Sequence, residues 1–306
     1  MKKSITIIIL CVIAMAVFAA CTTSPESPEA TTTPTYDRDG FPFTMPEQVN
    51  TIISIGPSNT EILVELGFAG SIIQTDSHSA GIPGIADDIA TLDMMSLDLE
   101  RIISLNPCIV FVTGMTRVYG ELDPLAAVSA VGITVAYMPS STSIAAIKED
   151  ILFVAAAVDA MDAGQAIVAS MTEELDRIRV LGDNIGERPT VYFEISPAPH
   201  MFSFGSGTFM HEMIELVGGI NVFGDQEGWM GVADEVLLDI NPDIIFTSTN
   251  FIDDPIGEIK SRPGWDTITA VQNGAVFPVS TNASNRPSHN IIIALLELAE
   301  AIHGEF

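Results

Sequence analysis

The sequence predicts an α/β protein built from two similar lobes joined by one long helix, with a cleft between the lobes. Three observations lead there: an internal repeat, glycine- or proline-marked joints between strands and helices, and a long apolar stripe at helical spacing.

The repeat comes first. Residues 99–111 read LERIISLNPCIVF and residues 234–246 read DEVLLDINPDIIF, at a constant offset of 135 residues. Each copy is a short amphipathic helix, then Asn-Pro, then an apolar strand. The residue before a proline is pushed out of the α region, so the helix ends there. Continuous apolar strands of this kind belong to parallel sheets covered on both faces. Strands are expected at 52–55, 71–74, 134–137, 191–195 and 275–279. Helices are expected from Thr60 to Leu66, closed by Gly67, and from about Thr208 to Val217, closed by Gly218. Each half is then a Rossmann-like unit.

Between the halves, Ile167, Met171, Leu175, Ile178 and Leu181 recur at intervals of three and four. That is the apolar stripe of a single helix. Gly182, then Gly186 and Pro189, should end it, with Arg177 and Arg179 near its C-terminal end. The expected organisation is a leader over 1–20, a tether over 21–36, a first lobe over 37–161, a connecting helix over 162–185 and a second lobe over 186–306.

The leader has a basic start (Lys2, Lys3), an apolar run from Ile5 to Phe18, and Ala19-Ala20-Cys21 at its end. The run is too short to span hydrocarbon as a helix, so it reads as a signal peptide. Small-small-Cys resembles a bacterial lipobox, with Cys21 as the acylation site. Two acyl chains there would hold the protein at the membrane. Residues 22–35, rich in Thr, Ser, Pro and Glu, cannot bury surface and read as a leash. With Cys11 in the leader and Cys21 acylated, Cys108 stands alone, which excludes an intrachain disulfide and reads as a buried strand cysteine. A net charge of −28, from 12 basic and 40 acidic residues, excludes nucleic acid and anionic lipid surfaces as partners.

An enzyme reading finds little support. Phe204-Gly205-Ser206-Gly207-Thr208 lacks the first glycine of a nucleophile elbow, and Met210 stands where a dinucleotide loop needs glycine. The loop reads instead as a helix start offering backbone N–H groups to an anionic ligand group.

Several motifs, in order along the chain, carry a resemblance. They are the 39–46 opening segment, Pro57-Ser58-Asn59-Thr60-Glu61-Ile62, Leu99-Glu100-Arg101-Ile102, Trp229 with Glu235, and Arg286-Pro287-Ser288 before the last helix. Over residues 37–303 the chain resembles the substrate-binding proteins of ABC importers for iron-siderophores, haem and cobalamin. The resemblance implies two α/β lobes on one rigid helix and a ligand between them. It implies delivery to a permease dimer with its ATPase, docked through Glu100 and Glu235, one from each lobe. The cargo it implies is a metal chelate (ferric siderophore, cobalamin or haem), with no intrinsic cofactor, no catalysis and a monomeric body outside the cytoplasm. Two alternatives stand beside it: a lipid-anchored sensor of the same fold, and a zinc- or manganese-binding importer component.

Ligands of open α/β sheets lie beyond the carboxyl ends of the strands. Candidate contacts are therefore Ser58, Asn59, Ser77, His78 and Met94 on one wall, and Phe204, Trp229, Asn282 and Arg286 on the other. Trp229 matches a tryptophan that packs on the ligand in the resembled family. His78, His200 and His289, or a methionine, are the candidates to ligate a haem iron.

Overall fold

Two parallel sheets, with helices connecting most of their strands, form the frame of the computed structural model, which describes residues 34–117 and 123–304. The predicted signal peptide, Cys21 and most of the tether lie outside these residues. Among those described, no helix is long and apolar enough to cross a membrane.

The first lobe contains β1 (Ile52–Ile55), α1 (Pro57–Glu65), β2 (Ile72–Asp76), β3 (Thr91–Leu92), α2 (Leu99–Leu105), β4 (Ile109–Thr113), α3 (Ala126–Ala130), β5 (Thr134–Met138) and α4 (Ile144–Ala157). Its sheet runs β3-β2-β1-β4-β5, every pair parallel. Then comes α5 (Met161–Asp183). The second lobe contains β6 (Thr190–Glu194), β7 (Phe202–Phe204), α6 (Phe209–Leu216), β8 (Ile220–Asn221), β9 (Trp229–Gly231), α7 (Asp234–Ile240), β10 (Ile244–Thr247), α8 (Pro255–Ser261), α9 (Thr269–Gln272), β11 (Val276–Pro278), α10 (Thr281–Asn285) and α11 (Ile291–His303). Its main sheet, β11-β10-β6-β8, is also parallel, and β7 pairs antiparallel with β9.

The repeat emerges as α2–β4 and α7–β10. Both helices end on an asparagine in the left-handed conformation, Asn106 at φ 45° and Asn241 at φ 54°. Asparagine tolerates that region, which turns the chain sharply into proline and the next strand. Cys108 lies before β4 rather than in it. It is half-buried, and its sulfur accepts a hydrogen bond from the Thr51 hydroxyl at 3.4 Å.

At 23 residues, α5 spans about 34 Å. Met171, Leu175 and Ile178 are its fully buried stripe, each contributing roughly 2 kcal/mol by removal from water. The helix ends at Asp183, within the stretch from Gly182 to Pro189 where its end was expected, and Gly182 is its penultimate residue. A Cβ at Gly182 would stand 2.3 Å from the Leu216 carbonyl oxygen, and one at Gly164 would stand 2.4 Å from the Ala155 Cβ. These glycines let α5 press against α4 in one lobe and the end of α6 in the other. Because the helix continues to Asp183, Arg177 and Arg179 lie before its last turn, which holds no basic residue.

One hydrophobic cluster crosses the lobes. It joins Ile62 and Leu63 of α1, Ile147 and Val154 of α4, the α5 stripe, Met213 and Ile214 of α6, and Leu295 and Leu298 of α11.

Candidate functional site

Between the lobes lies a cavity of about 440 Å³, within the range of small-molecule sites. The β1–α1 turn supplies Pro57, Ser58 and Asn59. Gly56 takes φ 112° in this turn, and a Cβ there would meet the Thr113 side chain at 3.0 Å. The turn is held by Asp76, fully buried, whose carboxylate accepts from the N–H of Gly56 and of His78, each at 2.8 Å, and from the Ser79 hydroxyl at 2.5 Å. The ends of β4 and β5 add Thr113, Met115 and the stretch from Met138 to Thr142. The facing wall holds Thr208, Phe209, Trp229, Asn285 and Arg286. Three helices, α1, α4 and α6, start at this cavity. Their first N–H groups have no intrahelical partner, so positive helix ends converge on it.

Of the predicted contacts, Ser58, Asn59, Met94, Trp229 and Arg286 line the cavity. Trp229 is 51% exposed, although tryptophan is usually covered. Phe204 departs from expectation: it is fully buried and meets Trp229 edge-on at 5.9 Å. It supports the indole from beneath and cannot touch a ligand. Ser77 and His78 are exposed on the loop after β2 and do not line the cavity, though the His78 carbonyl accepts from Arg286 at 3.1 Å. Asn282 lines a second interlobe opening, with Ala80, Thr249 and Arg286. None of the five histidines lines the main cavity. His289, proposed with them for haem, is held near Glu65 at 3.6 Å, and burial lowers its pKa.

Three features were not singled out as site features from sequence. Met138 and the Pro139–Thr142 segment follow a strand that was foreseen, so the strand-end rule could have found them. The repeat offset of 135 also relates Met94 to Trp229, placing equivalent residues of the two lobes on the same cavity. The third is Glu61, 5% exposed on α1. Its carboxylate accepts from Arg286 at 2.7 Å, the Ser288 hydroxyl at 2.5 Å and the Asn290 amide at 3.1 Å. On the other flank, the Glu212 carboxylate of α6 accepts from the Ile144 N–H of α4 at 2.7 Å. The cavity therefore sits between two polar straps that cross from lobe to lobe.

Glu100 and Glu235 are exposed, each the second residue of its helix, α2 or α7. The capping of α2 falls to Asp98, whose carboxylate accepts from the Arg101 N–H at 2.9 Å. Among the described residues no group of three or more His, Cys, Asp or Glu side chains is placed to hold a metal ion.

Two parallel-sheet lobes on one long helix, with a ligand-sized cleft between strand ends, define a periplasmic binding protein. The family model of that description matches residues 52–282, and the chain belongs to the family. Its members are substrate-binding components of transporters rather than enzymes. An uncharacterized ABC transporter substrate-binding lipoprotein of Bacillus subtilis, YvrC, is 27% identical over 271 residues, covering 88% of this chain and 85% of that protein. A vitamin B12-binding protein of Vibrio parahaemolyticus is 24% identical over 256 residues, covering 83% and 90%. A crystal structure titled as a possible iron-binding, periplasmic solute-binding protein of Staphylococcus epidermidis superposes with a TM-score of 0.73. It is 26% identical and covers 84% of this chain and 100% of that one.

Proposed function

We propose that this protein is the lipid-anchored substrate-binding component of an ABC importer. It captures a metal chelate (ferric siderophore, cobalamin or haem) in the interlobe cavity and hands it to the permease. The observation that carries the reading is the cavity itself: both lobes line it, an exposed indole stands in it, and among the described residues no cluster of metal-ligating side chains accompanies it. An apolar wall of Trp229, Phe209, Met94 and Met138 suits the bulk of an organic chelate. Delivery needs a face the permease can read. Glu100 and Glu235 supply equivalent exposed carboxylates, one per lobe, for arginines of a two-fold permease. Acylated Cys21 supplies the anchor, and a Cys21→Ala chain that remained with the membrane fraction would refute it.

The test is a thermal-unfolding panel on residues 34–306 with cyanocobalamin, haemin, ferric siderophores, zinc and manganese. A cargo present at 100 times its Kd should stabilise the fold by about 2.7 kcal/mol. A clear rise with a chelate is expected. A rise with the bare metals alone would move the protein to the metal-ion class.

A further inference from the structure

We infer that the cargo is an electroneutral chelate whose rim carries hydroxyl or amide groups; this rests on the carrier reading above. Of the described residues lining the cavity, only Arg286 is ionisable. Its charge is already matched: Nη1 donates to the Glu61 carboxylate at 2.7 Å, and Nη2 to the His78 carbonyl at 3.1 Å. The remaining cations of residues 34–306 stand elsewhere, so an anionic cargo would be enclosed without a free counter-charge. Enclosing an unmatched charge costs several-fold more than the partial charges of helix ends return. The surrounding chain, at −28, repels anions before they arrive.

The polar part of the wall fits neutral partners. Ser58, Ser140 and Thr142 offer hydroxyls with no protein partner. Asn59, 5% exposed, commits its Nδ2 to the Ile55 carbonyl at 3.0 Å, which leaves its Oδ1 as an acceptor without a protein donor. An unpaired acceptor on the cavity wall favours a ligand that presents an N–H or O–H. An anionic carboxylate or catecholate edge has none to give. Met94, Met115, Met138 and Trp229 cover the apolar remainder.

The experiment compares probes that differ in charge, the first pair also matched in metal. A neutral ferric trihydroxamate is set against a triply charged ferric tris-catecholate, and neutral cyanocobalamin against haemin with its two propionates. Binding is followed by Trp229 fluorescence and by thermal unfolding of the full mature chain. The neutral member of at least one pair should bind roughly 100-fold more tightly than its anionic counterpart. Equal or tighter binding of the anionic members overturns this inference and leaves the carrier reading standing. Silence from all four overturns the carrier reading, and the inference with it. The variant Met115→Lys adds a free cation at a side chain that is 47% exposed, so folding is not at stake. It should raise affinity for the tris-catecholate roughly tenfold. No gain there would overturn the claim that a missing counter-charge excludes anions.

Discussion

Replacing Glu61 with alanine removes the acceptor on which three side chains of the other lobe converge. Glu61 is 5% exposed and Ser288 fully buried, while the Arg286 side chain is 17% exposed. The substitution leaves the Ser288 hydroxyl without an acceptor for its proton, keeping only the bond it accepts from the Asn290 N–H at 3.2 Å, and strands the Asn290 amide in part. It leaves the guanidinium with the His78 carbonyl and a limited share of water. Breaking a largely buried pair by deleting one partner costs about 3–5 kcal/mol. The partial exposure of Arg286 keeps the cost off the top of that range, so about 4 kcal/mol is expected. For a protein of this size, 1 kcal/mol moves the midpoint by about 2–4 °C, which predicts a fall of roughly 8–16 °C by circular dichroism. Glu61→Gln keeps an acceptor for Ser288 and should lose roughly half as much. The cycle with Arg286→Ala isolates the pair, and the double variant should be markedly less damaged than the two single losses added together. A loss below about 1 kcal/mol for Glu61→Ala, or strict additivity in the cycle, would refute the strap as a stabilising contact between the lobes.

Other expectations follow from the same structure. Trp229→Ala should leave the melting point nearly unchanged, because the side chain is half exposed, and weaken cargo binding roughly 30-fold, a loss of about 2 kcal/mol. Gly182→Ala forces a methyl against the Leu216 carbonyl and should destabilise by about 3 kcal/mol or more, whereas Gly186→Ala, with open space around it, should be nearly silent. Charge reversal at Glu100 and Glu235 together should abolish uptake in cells while leaving equilibrium cargo binding intact. The pH profile of stability has a definite sign. Burial raises the pKa of Glu194, Asp150 and Asp37, so the folded state holds protons more readily than the unfolded one above the ordinary carboxylate range. Stability should therefore increase as pH falls from neutral toward that range. His289 acts oppositely: burial lowers its pKa, and its contribution is lost as pH falls below the ordinary histidine value. Melting curves of Glu194→Gln and His289→Gln should flatten and steepen the acid-side gain, respectively.

Much of the frame was readable because it is long or repeated. The α2–β4 and α7–β10 units are marked by apolar spacing and Asn-Pro, and α5 has several turns over which periodicity can accumulate. Gly182 shows the limit of local rules. A glycine that ends a helix and one that admits a neighbouring backbone look alike in sequence, and only the approach of Leu216 separates them. Elements of two to five residues, such as β7, β9, α9 and α10, are too short to carry a period, and tertiary contacts form them. The cavity shows the same division. Ser58, Asn59, Met94 and Trp229 follow from strand ends and the repeat. The separation of Asn282 from them depends on a contact between residues 225 positions apart, Glu61 and Arg286. Phe204 was placed on the wall by the same strand-end rule; its complete burial beneath Trp229 is a matter of packing order.

The apolar cluster that runs from α1 through α4 and α5 to α6 and α11 bears on how cargo leaves. Prying the lobes apart would wet side chains that belong to both halves at once, so resting thermal motion has little room to spring the cleft. Discharge becomes work done on the protein by whatever grips its two ends. In that sense the carrier behaves like a stiff clothes-peg without a spring, loaded through its mouth and emptied by force applied from outside.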